Sequence, residues 1–240
     1  MKGIILAAGR GSRMGSLTVN HPKCKTIVNG KELIQWQLDS LQGAGLKEIS
    51  IVKGYMGEIF NYKLKYFENK HWQSTNMVVS LLVARDWLRH HTCIISYSDI
   101  IYSSNAIRKL VEKNTDIAIA YDPNWRRIWD LRFEDPLTDA ETFKLDGDRI
   151  IEIGKKTTSI NSIDGQYMGI FKFKPGIWKD VENYLLSLDK KILYKMDITS
   201  LLQRLINKGY DIYAVPILDR WFEFDNQKDL EIFKSIYPSK

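Results

Sequence analysis

Apolar residues fall into two alternating rhythms along the chain. Short continuous runs at Ile4 to Ala8, Ile49 to Val52, Thr92 to Tyr97 and Ile117 to Ala120 have the length and bulk of strands buried on both faces. Between them, Leu33, Ile34, Trp36, Leu38 and Leu41 recur at helical spacing up to Gly43 and Gly45. Met77, Val78, Leu81, Leu82, Ala84, Trp87 and Leu88 predict one helix capped near Thr75 or Asn76, and Ile107, Leu110 and Val111 a further helix over Ser103 to Lys113. Strand, helix, strand over residues 4–52 is a βαβ unit, which requires a parallel sheet with a right-handed crossover. Ile59 to Phe67, rich in Tyr and Lys, predicts a helix or an irregular excursion.

Beyond Tyr121 the texture changes. Asp122-Pro123-Asn124 reads as a turn, Trp125, Arg126, Arg127 and Trp129 form a cationic aromatic cluster, and Phe143 to Ile153 predicts an antiparallel hairpin around Asp146-Gly147. Gln166 to Phe173 returns to strand alternation. Helices follow at Trp178 to Leu188 and Ile198 to Lys208, then a strand at Ile212 to Val215, a Trp221-to-Asp225 strand, and a closing helix from Gln227 to Tyr237. The expected architecture is α/β: a mostly parallel Rossmann-like sheet flanked by helices, one domain over 1–240, with 122–165 an inserted antiparallel β subregion.

Chemistry concentrates at the first strand's end, where Gly9, Gly11 and Gly15 interrupt the apolar run and Arg10, Arg13, Lys23 and Lys25 lie close by. Glycine permits positive φ and lets a ligand approach bare N–H groups, so the partner is expected to be an anion, and a phosphate above all. The P-loop pattern fails, because no Lys follows a glycine here, and the dinucleotide pattern is weak, because Met14 stands where its third glycine belongs. Asp99 lies just past the Thr92-to-Tyr97 run, where open α/β sheets bind ligands; a Mg²⁺ there needs a second carboxylate from elsewhere in the chain. On the Trp221-to-Asp225 strand, Glu223 and Asp225 share one face.

Leu6-Ala7-Ala8-Gly9-Arg10-Gly11-Ser12-Arg13-Met14, followed by Pro22-Lys23, resembles the signature loop of the sugar-1-phosphate nucleotidyltransferases and phosphocholine cytidylyltransferases, most closely the latter branch. The resemblance implies a nucleotide-diphospho-sugar transferase type of fold. It also implies a Mg²⁺-dependent reaction in which a phosphorylated acceptor attacks the α-phosphorus of a nucleoside triphosphate and pyrophosphate leaves. Carried over residue by residue, it makes Lys23 and Arg13 catalytic and lines the nucleotide with Leu6, Ala7, Ala8, Gly9, Arg10, Gly11, Ser12 and Ser98. Asn76 and Ser80 match a nucleotide-side Asn-x-x-x-Ser-Leu segment, with helix capping as their other reading. Asp99 and Asp225 become the two magnesium ligands.

Gln166, Tyr167, Gly169 and Glu223 become acceptor contacts, and Asp197 either caps a helix or meets a cationic group of the acceptor. The 122–165 insertion, with Trp129 and Arg132, walls the acceptor. CTP is the expected donor. The arginines Arg126, Arg127 and Arg132 point to an acceptor with an extra carboxylate or amide, such as phosphoglutamine, with phosphocholine and an aminophosphonate as alternatives, in making surface-polysaccharide or phospholipid-type precursors. A hexose-1-phosphate uridylyl- or thymidylyltransferase remains a rival. So does a non-catalytic nucleotide-sensing subunit, against which Lys23, Asp99 and Asp225 stand.

Bulk properties narrow this little. With 44% hydrophobic and 27% charged residues the chain has an ordinary globular composition, and its net charge of +6 is scattered instead of forming a nucleic-acid-binding tract. Cys24 and Cys93 have no metal-site spacing and no disulfide framework. The N-terminal apolar run is too short for a signal peptide and no stretch suits a membrane span, so a cytoplasmic enzyme is expected, with a homodimer left open.

Overall fold

The computed structural model describes residues 1–238. In chain order it opens with β1 (Lys2–Ala7), a small ribbon of β2 (Ile27–Val28) and β3 (Lys31–Glu32), α1 (Leu33–Gly43), β4 (Ile49–Lys53) and β5 (Lys65–Glu68). It continues through α2 (Met77–Val83), α3 (Arg85–His90), β6 (Cys93–Tyr97), β7 (Ile100–Tyr102), α4 (Ser104–Glu112), β8 (Ile117–Asp122), α5 (Arg126–Arg132), β9 (Glu141–Asp146) and β10 (Arg149–Lys156). The remainder holds β11 (Gln166–Phe173), α6 (Pro175–Ser187), α7 (Lys190–Lys195), α8 (Ile198–Asn207), β12 (Tyr213–Pro216), β13 (Trp221–Glu223) and α9 (Gln227–Ile236).

Nine strands form one sheet in the order β5-β4-β1-β6-β11-β8-β12-β10-β9. β5, β4, β1 and β6 run parallel, as do β8 and β12, while β11 lies antiparallel between β6 and β8. The sheet is therefore mostly parallel. β8 is buried at every position and β1 at all but its first, because helices cover both faces of the sheet. On one face pack Leu33, Leu38 and Leu41 of α1, Ile107 and Leu110 of α4, and Phe233 of α9; on the other Val78, Leu88, Trp178, Leu185 and Leu201. Burying each such Leu or Phe contributes about 1.5–3 kcal/mol.

Two features bring remote residues to one end of this sheet. β11 runs against its neighbours, so it starts where β6 and β8 finish, with Gln166 opposite Asp122. Off the main sheet, β13 pairs antiparallel with β7, placing Glu223 opposite Ile100, and Phe224 N donates to Asp99 O at 3.0 Å. That ladder carries the acids of residues 223–225 to the end of β6.

Three elements depart from the sequence pattern. Ile59 to Phe67 ends in an edge strand, β5, whose Lys65 and Glu68 are exposed and which pairs with β4 on one side alone; charged edge positions hide the strand alternation. The single helix expected over Met77 to Leu88 breaks at Ala84 (φ −90°, ψ 11°), whose N–H bonds back to Leu81 O at 3.0 Å. The change of direction lets Arg89 reach Glu182 of α6 at 2.7 Å. The 143–153 hairpin forms as β9 and β10 but extends the central sheet, with Ala214 N donating to Asp148 O and Ile150 N to Ile212 O, both at 2.8 Å. Among the described residues no helix is long and apolar enough to cross a membrane.

Candidate active site

β1 stops at Ala7 and the chain enters the glycine turn. The backbone N–H groups of Gly9, Arg10 and Gly11 donate to no backbone group among the described residues, which leaves them open to an anion. Gly11 has φ 74°, and a Cβ there would stand 2.5 Å from Lys23 Cβ, so the turn needs glycine both for its backbone and to lie against Lys23. The Thr18 hydroxyl donates to Gly11 O at 3.1 Å and ties the turn to the 3₁₀ stretch that follows.

Lys23, only 6% exposed, joins the turn to the acids: its Nζ donates to Asp99 Oδ2 at 2.8 Å and to Asp225 Oδ1 at 3.0 Å. Arg13, on the open side, places Nη2 2.7 Å from the same Asp225 Oδ1. Burial would lower the Lys23 pKa, but Asp99 and Asp225 outweigh it and hold the ammonium above its ordinary value. Burial would likewise raise Asp225, yet Lys23 and Arg13 keep its carboxyl below the usual range. Glu223 goes the other way, pushed up to about 8 by burial and by the Asp225 charge.

Asp99, Glu223 and Asp225 each offer a carboxylate oxygen, and these oxygens lie within 4.8 Å of one another. Asp99 Oδ1 is buried with no hydrogen-bond partner among the described residues. An all-oxygen donor set with an unsatisfied lone pair fits a hard divalent cation of the Mg²⁺ type.

Beside this cluster opens a cavity of about 330 Å³. Arg13, Glu223 and Asp225 form its inner side; Asp139, Glu141 and Lys156 come from the 122–165 segment, Gln166, Tyr167 and Gly169 from β11, and Asp197 from the start of α8. Gly169 has φ 75° and a Cβ there would meet Tyr97 Cδ2 at 2.8 Å, so the β11 bulge lets the strand close over Tyr97. Tyr97 and Tyr167 meet edge to face at 5.7 Å, and Trp129 stacks on Trp221 at 5.8 Å. Burial, with Asp197 nearby, raises the Glu141 pKa.

The MobA-like NTP transferase domain matches residues 3–209. The chain belongs to that family. This NTP transferase is 39% identical to a CTP:phosphoglutamine cytidylyltransferase of Campylobacter jejuni, over 97% of this chain and 98% of that one. It is 26% identical to a choline-phosphate cytidylyltransferase of Streptococcus pneumoniae, over 82% and 93% of the two chains. Its fold superposes on the inositol-1-phosphate CTP transferase from T. maritima with a TM-score of 0.77, covering 99% and 96% of the two chains at 20% identity. The resemblance read from Leu6 to Met14 and Pro22-Lys23 holds.

In the NTP transferase the structure draws Lys23, Arg13, Asp99, Asp225 and Glu223 together from segments far apart in the chain. Leu6, Ala7 and Ala8 are buried in the core, so their side chains set the turn's position while Arg10 and Ser12 are exposed on it. Ser98 is half-buried beside Asp99. Asn76 caps α2, its Oδ1 accepting from Met77 N at 2.7 Å. Ser80 is buried and accepts from Asn69 Nδ2 at 3.0 Å, so its hydroxyl ties α2 to Asn69. Asp197 caps α8, its Oδ1 accepting from Ser200 N at 2.8 Å, and it also lines the cavity. Gln166 lines the cavity but its amide is tied to the Glu141 backbone, Nε2 to O at 2.8 Å.

The arginine wall requires correction. Arg132 does not line the cavity; it is buried below the carboxylates, 3.1 Å from Asp225 Oδ2 and 2.9 Å from Asp229 Oδ1. Arg126 pairs with Asp130 on the surface, and the exposed Arg127 lies 3.7 Å from the buried Asp122; neither lines the cavity. The helical period of α5 explains this: residues 126 and 127 fall on the solvent side, Trp129 and Arg132 on the buried side. Sequence reasoning missed Asp139, Glu141, Lys156 and Asp229. Only the Asn226-to-Asp229 capping spacing could have flagged the last, and nothing in the pattern marks the others.

Proposed function

We propose that this NTP transferase transfers CMP from CTP to a phosphorylated small molecule bearing an amino-acid-like group, and releases pyrophosphate. The observation that carries the reading is Lys23, bridging Asp99 and Asp225 beside open glycine-turn amides. An oxygen of the acceptor phosphate forms the new bond to the α-phosphorus as the α–β bridging bond breaks. The acceptor phosphate is already anionic near neutral pH, so no protein nucleophile is required.

The obstacle is repulsion between two polyanions. Lys23 and Arg13 place positive charge where it builds, and the Gly9 to Gly11 N–H groups suit the triphosphate. Asp99 and Asp225, with Glu223 beside them, would hold Mg²⁺; when bound, the ion neutralises charge on the α-phosphate and the leaving group.

The cavity revises the acceptor argument. Asp139, Glu141 and Asp197 make its outer wall acidic, with Lys156 as the cation among them. An α-amino acid matches that pattern, its ammonium toward the acids and its carboxylate toward Lys156, and phosphoglutamine carries both. The relative named for phosphoglutamine supports this choice over choline phosphate, which lacks a carboxylate for Lys156. A CMP-activated product of this kind suits a later transfer onto a surface polysaccharide. Pyrophosphate release measured for the four triphosphates against phosphoglutamine, phosphocholine and hexose 1-phosphates tests the reading. CTP with phosphoglutamine is expected to be the best pair; preference for phosphocholine overturns the amino-acid assignment, and preference for UTP or dTTP with a hexose phosphate overturns the whole.

A further inference from the structure

Arg132 is a buried cation that the reaction outlined above does not use. It leaves the last turn of α5, touches none of the acceptor cavity, and has a side chain only 1% exposed. Asp229 grips it from α9, with Nε to Oδ1 at 2.9 Å and Nη2 to Oδ2 at 3.2 Å, a two-pronged pair. Aromatic rings of Trp129 and Phe222 stand 5.4 and 5.9 Å from its Cζ and keep water out. The same Nη2 donates to Asp225 Oδ2 at 3.1 Å, and Nη1 lies 3.6 Å from Glu223 Oε2 without a hydrogen bond among the described residues.

Asp225 is thereby divided by function. Its Oδ2 is held by Arg132, and its Oδ1 meets Lys23 and Arg13 at 3.0 and 2.7 Å. Its backbone N–H is also fixed, donating to Asp229 Oδ2 at 2.7 Å. Carboxylates this close repel one another, and a rigid, permanently charged fork is suited to holding them in register.

We propose that Arg132 is a positioning residue for the metal-binding carboxylates: anchored by Asp229, it sets the rotation of Asp225 and steadies Glu223, so that Asp225 Oδ1 is presented to a divalent cation. The inference rests on the metal reading of Asp99 and Asp225. Lysine cannot replace the fork, because a single ammonium cannot hold Asp229 with two prongs and reach Asp225 as well.

The test is Mn²⁺ binding to the nucleotide-free protein, followed by electron paramagnetic resonance, for the wild type, Arg132→Met, Arg132→Lys and Asp229→Asn. Loss of a group that orients metal ligands is expected to weaken Mn²⁺ binding by about 10–100-fold in Arg132→Met. The turnover lost is expected to return in part at raised Mg²⁺, with the KM for the acceptor unmoved. If Arg132→Met does not fold, weakened Mn²⁺ binding in folded Arg132→Lys or Asp229→Asn supports the assignment. Unchanged Mn²⁺ affinity in the folded variants overturns it. A wild-type protein that binds no Mn²⁺ overturns the metal reading itself, which the triphosphate-by-acceptor comparison addresses separately.

Discussion

The two sides of the cleft are built from different material. On the side proposed for the triphosphate, the Gly9 to Gly11 turn offers backbone N–H groups with no backbone partner among the described residues, beside exposed side chains. On the other side, around Asp225, the working groups are side chains that already hold one another: Lys23, Arg13 and Arg132 all converge on that one carboxylate. A backbone site needs only permissive residues in one short stretch. A side-chain site needs remote residues in register, and a change in one charge is felt by the rest.

The contrast is sharpest where the two sides meet, at Lys23. Lys23→Ala or Asp99→Ala should lower kcat by about 10²-fold or more, as removal of an electrostatic stabiliser does, with circular dichroism unchanged. Gly11→Ala removes no charge, yet its Cβ would stand 2.5 Å from Lys23 Cβ, so a loss approaching that of Lys23→Ala is expected. Normal turnover in Gly11→Ala would show the two sides to be independent.

The acid wall of the acceptor side comes next in size. Asp197→Asn keeps the α8 cap while removing the charge, and Glu141→Gln does the same to its neighbour. Each should raise the acceptor KM by about tenfold, the equivalent of one lost charged contact, and leave the KM for CTP alone. A shift in both constants would place these acids in the triphosphate site instead.

Coupling should also appear in pH dependence. Glu223, pushed up to about 8 in the folded protein, keeps a proton that the unfolded chain releases, so its contribution to stability falls as pH rises from the ordinary carboxyl range to about 8. Glu223→Gln should therefore melt higher than wild type at about pH 9 and no higher at about pH 5. Asp225, held below its ordinary pKa, has the opposite sign: its contribution is present above the usual carboxyl value and fades as pH falls toward the lowered one, so Asp225→Asn should flatten the acid limb. The same slopes in wild type and variants would mean the cluster is uncoupled. The smallest effect expected is at the start of α2, where Asn76→Ala should cost about 1 kcal/mol of stability as a lost cap, with the KM for CTP unmoved. A raised KM for CTP would mean that side chains matter there too.

This division also explains what the sequence could reveal. The glycine turn was readable from its own residues and Asp99 from its place at a strand end, whereas Lys23 and Asp225 were singled out through the family resemblance; the structure brings all of them together. Apolar rhythm likewise announced β1, β6, β8 and α4. Arg132 belongs to the same arginine-rich stretch, Trp125 to Arg132, as Arg126 and Arg127, and the sequence alone does not separate it from them; only the packing of α5 against α9 turns it inward. β5 was hidden by edge-strand charge, and the break at Ala84 by an apolar spacing that runs through it. Asp139, Glu141 and Lys156 look like solvated charges beside a hairpin until Gln166 Nε2, donating to Glu141 O at 2.8 Å, ties the start of β9 to the start of β11. Long-range pairing decides each of these, and local pattern does not encode it.

The reversed direction of β11 carries one more consequence. Since Asp122 and Gln166 sit opposite each other on adjacent strands, the stretch between them departs from and returns to a single rung of the ladder. Such a closed-base excursion can change length at its exposed turns without shifting the register of β8 or β11, but not all of it is free to vary: Arg132 within it holds Asp225, and Asp148 and Ile150 hydrogen-bond to residues 214 and 212. Divergence in what the cavity holds is therefore expected at Asp139, Glu141 and Lys156, which line it, and not at the buried arginine that the same stretch delivers to the carboxylates.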